Sequence, residues 1–129
     1  MDEWTAIMLA AEWPHLVKAE RDRRLAMGFT YDFEDGRGVH HIGTSADDMR
    51  GWNEVTMSAQ AAVALGAGSD PLTTLLTDTG PATVTALEWM AILQAAHAAR
   101  QPIWHRSFEI AAMSPDTVAL ASDALWEAT

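Results

Sequence analysis

Asp78-Thr79-Gly80 carries the most chemically suggestive side chain in the sequence. An aspartate that shares one proton with a second carboxylate activates a water molecule, so Asp78 is the side chain a small hydrolase would use. The same residues describe a hairpin turn equally well, with Asp78 bonding the backbone and Gly80 at positive φ. His40 and His41, near Asp47 and Asp48, are of metal-ligating type. Neighbours on a strand point to opposite faces, so these two histidines cannot grip one ion together. His97 and His105 stand about two helical turns apart, with Pro102 between them. None of these spacings matches a metal-binding motif. Lys18-Ala19-Glu20-Arg21-Asp22-Arg23-Arg24 gathers half of the positive charge of the chain. On a helix, Glu20 and Asp22 pair with the arginines. The segment then reads as a solvated face, or as one that meets an acidic partner or a second copy of the chain. There is no glycine-rich phosphate loop, no Ser-His-Asp pattern and no cofactor motif. The expectation is a protein with no catalytic residue, no cofactor and no metal.

These side chains belong to an acidic chain of 129 residues, room for one domain. Hydrophobic residues make up 49% and charged residues 20%, enough for a real core and too apolar for whole-chain disorder. Eighteen acidic against eight basic residues give a formal net charge of -10. Nucleic acid and anionic membrane surfaces both call for the opposite sign. With no cysteine, disulfides, thiolate metal sites and cysteine nucleophiles are excluded. No apolar run approaches the roughly 18 residues of a membrane span, and the acidic Met1-Asp2-Glu3 start is not that of a signal peptide. Six tryptophans are spread along the chain. As a set they suit a small core of large side chains, and Trp4 and Trp126, near the termini, are the two placed to anchor a partner.

The elements that would position these groups follow from periodicity. From Asp2 to about Met27 the pattern is helical, with Trp4, Ile7, Met8 and Ala11 at three- and four-residue spacing. Pro14 predicts a kink or break between a short first helix and a second over Leu16, Val17 and Leu25, which Gly28 stops. Phe29 to Phe33 alternates as a strand, Asp35-Gly36 turns, and Val39 to Ile42 returns. Thr44-Ser45 with Asp47 and Asp48 starts a helix whose apolar face runs through Met49, Trp52, Val55, Ala59 and Val63 to Gly66. Leu72 to Thr77 and Ala82 to Thr85 flank the Asp78 turn as a second hairpin. Thr85 and Glu88 form a capping box for a long helix that Pro102 either kinks or restarts. Ser114-Pro115-Asp116 signals a closing helix to about Ala128. The predicted class is α+β: helices packed around two short antiparallel β-hairpins, in the order helix, hairpin, helix, hairpin, long helix, helix.

An apolar pair before Asp78-Thr79-Gly80 resembles the active-site loop of retroviral-type aspartic proteases. Those proteins are nearly all strand, whereas this chain is alanine-rich and patterned for helix. Thr77 also stands where that loop has a hydrophobic residue, Pro81 follows the glycine, and the second loop of the protease is missing. The segment Arg21-Asp22-Arg23-Arg24-Leu25-Ala26-Met27-Gly28-Phe29-Thr30-Tyr31 resembles a domain-of-unknown-function family of bacteriophage and prophage tail genes, often near or fused to tail fibre sequences. There an arginine-rich helix end runs into a Gly-Phe-x-Tyr/Phe strand. His41-Ile42-Gly43-Thr44 and Asp47-Asp48-Met49 are similar to its next segment and capped helix. Thr77-Asp78-Thr79-Gly80, Val84-Thr85, Glu88-Trp89 and Gln101-Pro102-Ile103-Trp104 continue the likeness, which covers about residues 20–113.

That resemblance implies a tail-associated structural or assembly role and brings no catalytic residues. The expected organisation is an N-terminal helical attachment segment over residues 1–19 and a single tail-associated domain over 20–129. The expected function is that of a fibre- or baseplate-associated component of a phage or phage-like tail, assembled in the bacterial cytoplasm and resident in the virion. Its partners would be other tail, fibre or baseplate proteins, and copies of itself, as a trimer by analogy with tail fibres. The alternative is a fibre assembly chaperone absent from the mature particle. Trp4, Ile7, Arg21, Arg24 and Trp126 are the candidate contact residues.

Overall fold

The structure, a computed structural model, describes residues 2–115 and 119–127. Its elements are α1 (Glu3–Leu25), β1 (Phe29–Asp32), β2 (Val39–Ile42), α2 (Ala46–Ala64), β3 (Pro71–Thr77), β4 (Gly80–Thr85), α3 (Ala86–Ala111) and α4 (Asp123–Glu127). Among the described residues this is the α+β arrangement expected, with two separate antiparallel hairpins, β1-β2 and β3-β4, set between helices.

Local chemistry explains each boundary. Asp2 caps α1 by accepting the Thr5 N–H at 2.7 Å, while Arg23 and Arg24 complement the dipole of its last turn. Of the kink or break expected at Pro14, the break does not occur: α1 runs on as one element through Pro14 and across position 19. A helical proline forfeits one backbone bond. Here Trp13 and Val17, one turn apart and both buried, anchor the helix around it. Gly28 follows at φ 77, donating its N–H to Thr44 Oγ1 at 3.1 Å. Ser45 caps α2 in a reciprocal box with Asp48. The box predicted at Thr85 and Glu88 is present, with bonds of 2.9 and 3.1 Å, and α3 continues through Pro102 without a restart. The closing helix is shorter than expected. Asp116 lies outside the described residues, 119–122 are not helical, and α4 is the five residues Asp123–Glu127.

The chain divides into two compact units. One joins the residues up to Leu25 with those from Arg100 onward, around a core of Trp13, Val17, Ile110 and Trp126. In it the Trp13 indole N–H donates to the Ile110 carbonyl at 3.3 Å. The other spans Ala26–Ala99 and packs β1-β2, α2, β3-β4 and the start of α3 around Trp52, Trp89, Val84 and Ile92. Trp52 and Trp89 have ring centroids 4.8 Å apart, and the Trp89 N–H donates to Thr56 Oγ1 at 3.0 Å. Burying a tryptophan at about 25 cal/mol/Å² is worth up to roughly 5 kcal/mol. No described helix is long and apolar enough to cross a membrane.

Candidate functional site

In the unit that contains α1, the predicted contact residues fall into two groups. Trp4 and Ile7 are 71% and 54% exposed, and Met8 beside them is exposed too. Residues at three- and four-residue spacing share a helix face, so these three form one apolar stripe. Trp13 stands nine residues from Trp4, about two and a half turns, and therefore points the opposite way, into the core. The apolar face of α1 that the fold uses is thus not the one that Trp4 and Ile7 occupy.

Arg21, Arg24 and Trp126 are engaged within their own unit. The Arg21 guanidinium lies 4.2 Å from the centre of the Trp104 ring and pairs with Asp22 at 2.9 Å. Arg24 lies over the Trp126 ring at 5.2 Å, and pairs with Glu20 and with Asp123 at 3.0 Å each. A hydrogen bond from Arg23 holds the Glu20 carboxyl below its ordinary range, with the charge of Arg24 adding to the effect. Trp126 is 7% exposed and donates its N–H to the Leu120 carbonyl at 2.8 Å. It is an internal side chain, not the outward anchor its place near the terminus suggested. The interleaved acids of the basic segment gave the signal for the Arg–Glu pairing. The stacking partners lie too far away in sequence to be read.

In the unit Ala26–Ala99, Asp78 is exposed at the tip of the β3-β4 turn, and Gly80 takes the positive φ expected of it, 127°. The turn is held by Thr77, not by Asp78: its Oγ1 accepts the Thr79 N–H at 3.2 Å and bonds the Gly80 carbonyl at 2.8 Å. His40 is buried, with Nε2–H donating to the Arg37 carbonyl at 2.9 Å and Nδ1 meeting Thr77 Oγ1 at 2.7 Å. His41 reaches the Met27 carbonyl through Nε2 at 2.8 Å. The two histidines point apart, as alternation on a strand requires, and each is hydrogen-bonded. No group of three His, Asp or Glu side chains among the described residues could hold a metal ion.

Arg37, which the sequence did not single out, ties the first hairpin to the second and to α3. It pairs with Asp35 and Glu88, donates to the Thr83 carbonyl at 2.9 Å, and sits over the Phe33 ring at 4.4 Å. Its hydrogen bonds push the Asp35 carboxyl down to about 2 and hold Glu88 below its ordinary value.

A hollow in this unit lies between α2 and β3. It measures about 300 Å³, with Asp47, Asp48, Trp52 and Val55 on the helix side and Thr73 to Thr77 on the strand side. A second hollow of about 190 Å³ continues it along Glu54, Val55, Ser58, Leu72 and Thr73. Val55 and Thr73 are shared, so the two make one seam along the strand. No family model, no curated protein and no solved structure matches the chain.

Proposed function

We propose that this protein works by contact and not by catalysis, as a structural component of a bacteriophage or phage-like tail, associated with the fibre or baseplate. The observation that carries the contact reading is the outer stripe of α1. Trp4, Ile7 and Met8 stand exposed on one face while Trp13 and Val17 fill the core from another. A helix that is apolar on a face its own fold does not cover is a ready surface for a partner. Support for the tail setting comes from the ordered resemblance over residues 20–113.

Proteomics on particles purified from the source strain tests this, with the protein quantified against the major tail protein. A constant ratio to the tail protein is the expected result. Abundance in the lysate with none in the particle would replace a structural part by an assembly chaperone. Absence from both would overturn the tail setting.

A further inference from the structure

We propose that the seam between α2 and β3 is a docking groove for an extended, basic peptide segment of another protein, added as a strand to the outer edge of β3. The inference concerns residues 26–99 alone and holds whether or not the chain belongs to a tail.

The hairpin register decides which backbone groups β3 offers. Thr77 pairs with Gly80, Leu76 with Pro81, Leu75 with Ala82 and Thr74 with Thr83. A two-residue turn makes its closing pair, Thr77·Gly80, a hydrogen-bonded one, and alternation makes Leu76·Pro81 and Thr74·Thr83 non-bonded. Three observations agree. Pro81 has no N–H to give at such a pair. The Thr74 and Thr83 hydroxyls meet at 2.9 Å, as the closer side chains of a non-bonded pair allow. The Thr83 carbonyl accepts from Arg37 and therefore points away from β3. Thr74 and Leu76 consequently turn their N–H and C=O groups to the outer edge, two residues apart. Among the described residues β3 is laddered to β4 alone.

The neighbouring edges are each engaged at one point. Arg37 takes the Thr83 carbonyl on β4, and the His41 N–H of β2 donates to Thr79 Oγ1 at 3.1 Å. β3 carries no charge and no proline after Pro71, and Leu76 is 81% exposed. Such an edge is a template for another strand. The groove wall opposite gives the occupant its sign. Asp47, Asp48 and Glu54 of α2 line the seam, and Arg50 offsets only Asp47, with which it pairs at 3.3 Å, so the wall keeps an excess of negative charge. An incoming strand would lay alternate side chains against Trp52 and Val55 and turn basic ones to the acidic rim. From Leu72 to Thr77 the strand offers about 17 Å, the length of a five- or six-residue peptide.

The test is a titration of the full chain with acetyl-KVKVKV-amide and with its glutamate counterpart, followed by backbone amide shifts. The lysine peptide is expected to bind with the largest shifts at Thr74 and Leu76, and the glutamate peptide at least about tenfold more weakly. Leu76→Pro removes an outward N–H without touching a ladder bond and should abolish binding. Asp47→Asn with Glu54→Gln, on exposed positions that leave the fold intact, should weaken the lysine peptide about fivefold. If Leu76→Pro loses its near-ultraviolet dichroism, this second variant decides alone. Equal affinity for the two peptides, shifts confined to other residues, or no binding would overturn the proposal. So would a wild-type dimer in sedimentation that Leu76→Pro dissociates, since a second copy would then be the occupant.

Discussion

Replacing Trp4 and Ile7 together by alanine separates contact from folding in one variant. Both side chains are more than half exposed, Trp4 at 71% and Ile7 at 54%, so truncation removes little surface that folding buries. The expected loss of stability is below about 0.5 kcal/mol, the range of ordinary surface substitutions. For a chain of this size that is roughly 2 °C in Tm. In a partner interface the same residues are worth far more. The exposed part of a tryptophan is on the order of 150 Å², which at about 25 cal/mol/Å² gives a ceiling near 4 kcal/mol. A buried tryptophan anchor costs about 2 kcal/mol or more on truncation. Two to four kcal/mol corresponds to roughly thirtyfold to a thousandfold weaker binding. The assay is the ratio of this protein to the major tail protein in particles complemented with the variant, alongside a dichroism melt. Trp13→Ala supplies the contrast, because Trp13 is 6% exposed and should lose about 3–5 kcal/mol of stability. Wild-type incorporation of the double variant would refute the α1 contact. A melt as damaged as that of Trp13→Ala would refute the reading of Trp4 and Ile7 as outside the fold.

Two glycines should respond with opposite signs. Gly28→Ala meets positive φ and places a Cβ against Ile42 O and within 2.7 Å of His41 Nε2, so urea unfolding should show a loss of about 2 kcal/mol or more. Gly51→Ala stands inside α2 with open space around its Cβ position and should gain about 0.5–1 kcal/mol. Removing the Arg37 charge should flatten the acid side of the stability profile. Asp35, held at about 2, and Glu88, held below its ordinary 4.5, contribute stability above their unfolded values and lose it as pH falls through the folded ones. Urea midpoints of wild type and Arg37→Met should therefore converge from about pH 5 downward; parallel profiles would sink this. In the core, a double-mutant cycle of Trp89→Phe and Thr56→Val should give a coupling of about 1 kcal/mol in urea unfolding for their hydrogen bond.

Much of the fold was legible because it is decided locally. The Thr85–Glu88 box, the Phe29-Tyr31-Phe33 alternation and Gly80 at positive φ each follow from a few neighbouring residues. The sequence did not show that the helix runs on through Pro14, because the cost of one missing helical bond is local, whereas Trp13 bonding Ile110 and Val17 in the same core are contacts at long sequence separation. The same distance hid the cation stacks. Arg21 and Arg24 were visible as a charged segment with acids among them, but their partners Trp104 and Trp126 lie 83 and 102 residues away. Trp126 looked like an anchor because it is near a terminus; the chain folds back and buries it.

The groove shows a different limit. Leu72 to Thr77 reads plainly as a strand, and nothing within it says how many neighbours it has. In a larger sheet the same residues would be a central strand with both edges paired, and their lack of charge would be ordinary. Here the sheet stops at two strands, so an uncharged, β-prone strand is left as an edge. The polarity of the wall that faces it belongs to the first turns of α2, where Asp47 and Asp48 are already accounted for as helix-starting acids. Each residue has a sufficient local reason for its type. Only their placement on the two sides of one seam joins unpaired backbone groups, an apolar floor and an acidic rim into a surface that selects a basic strand.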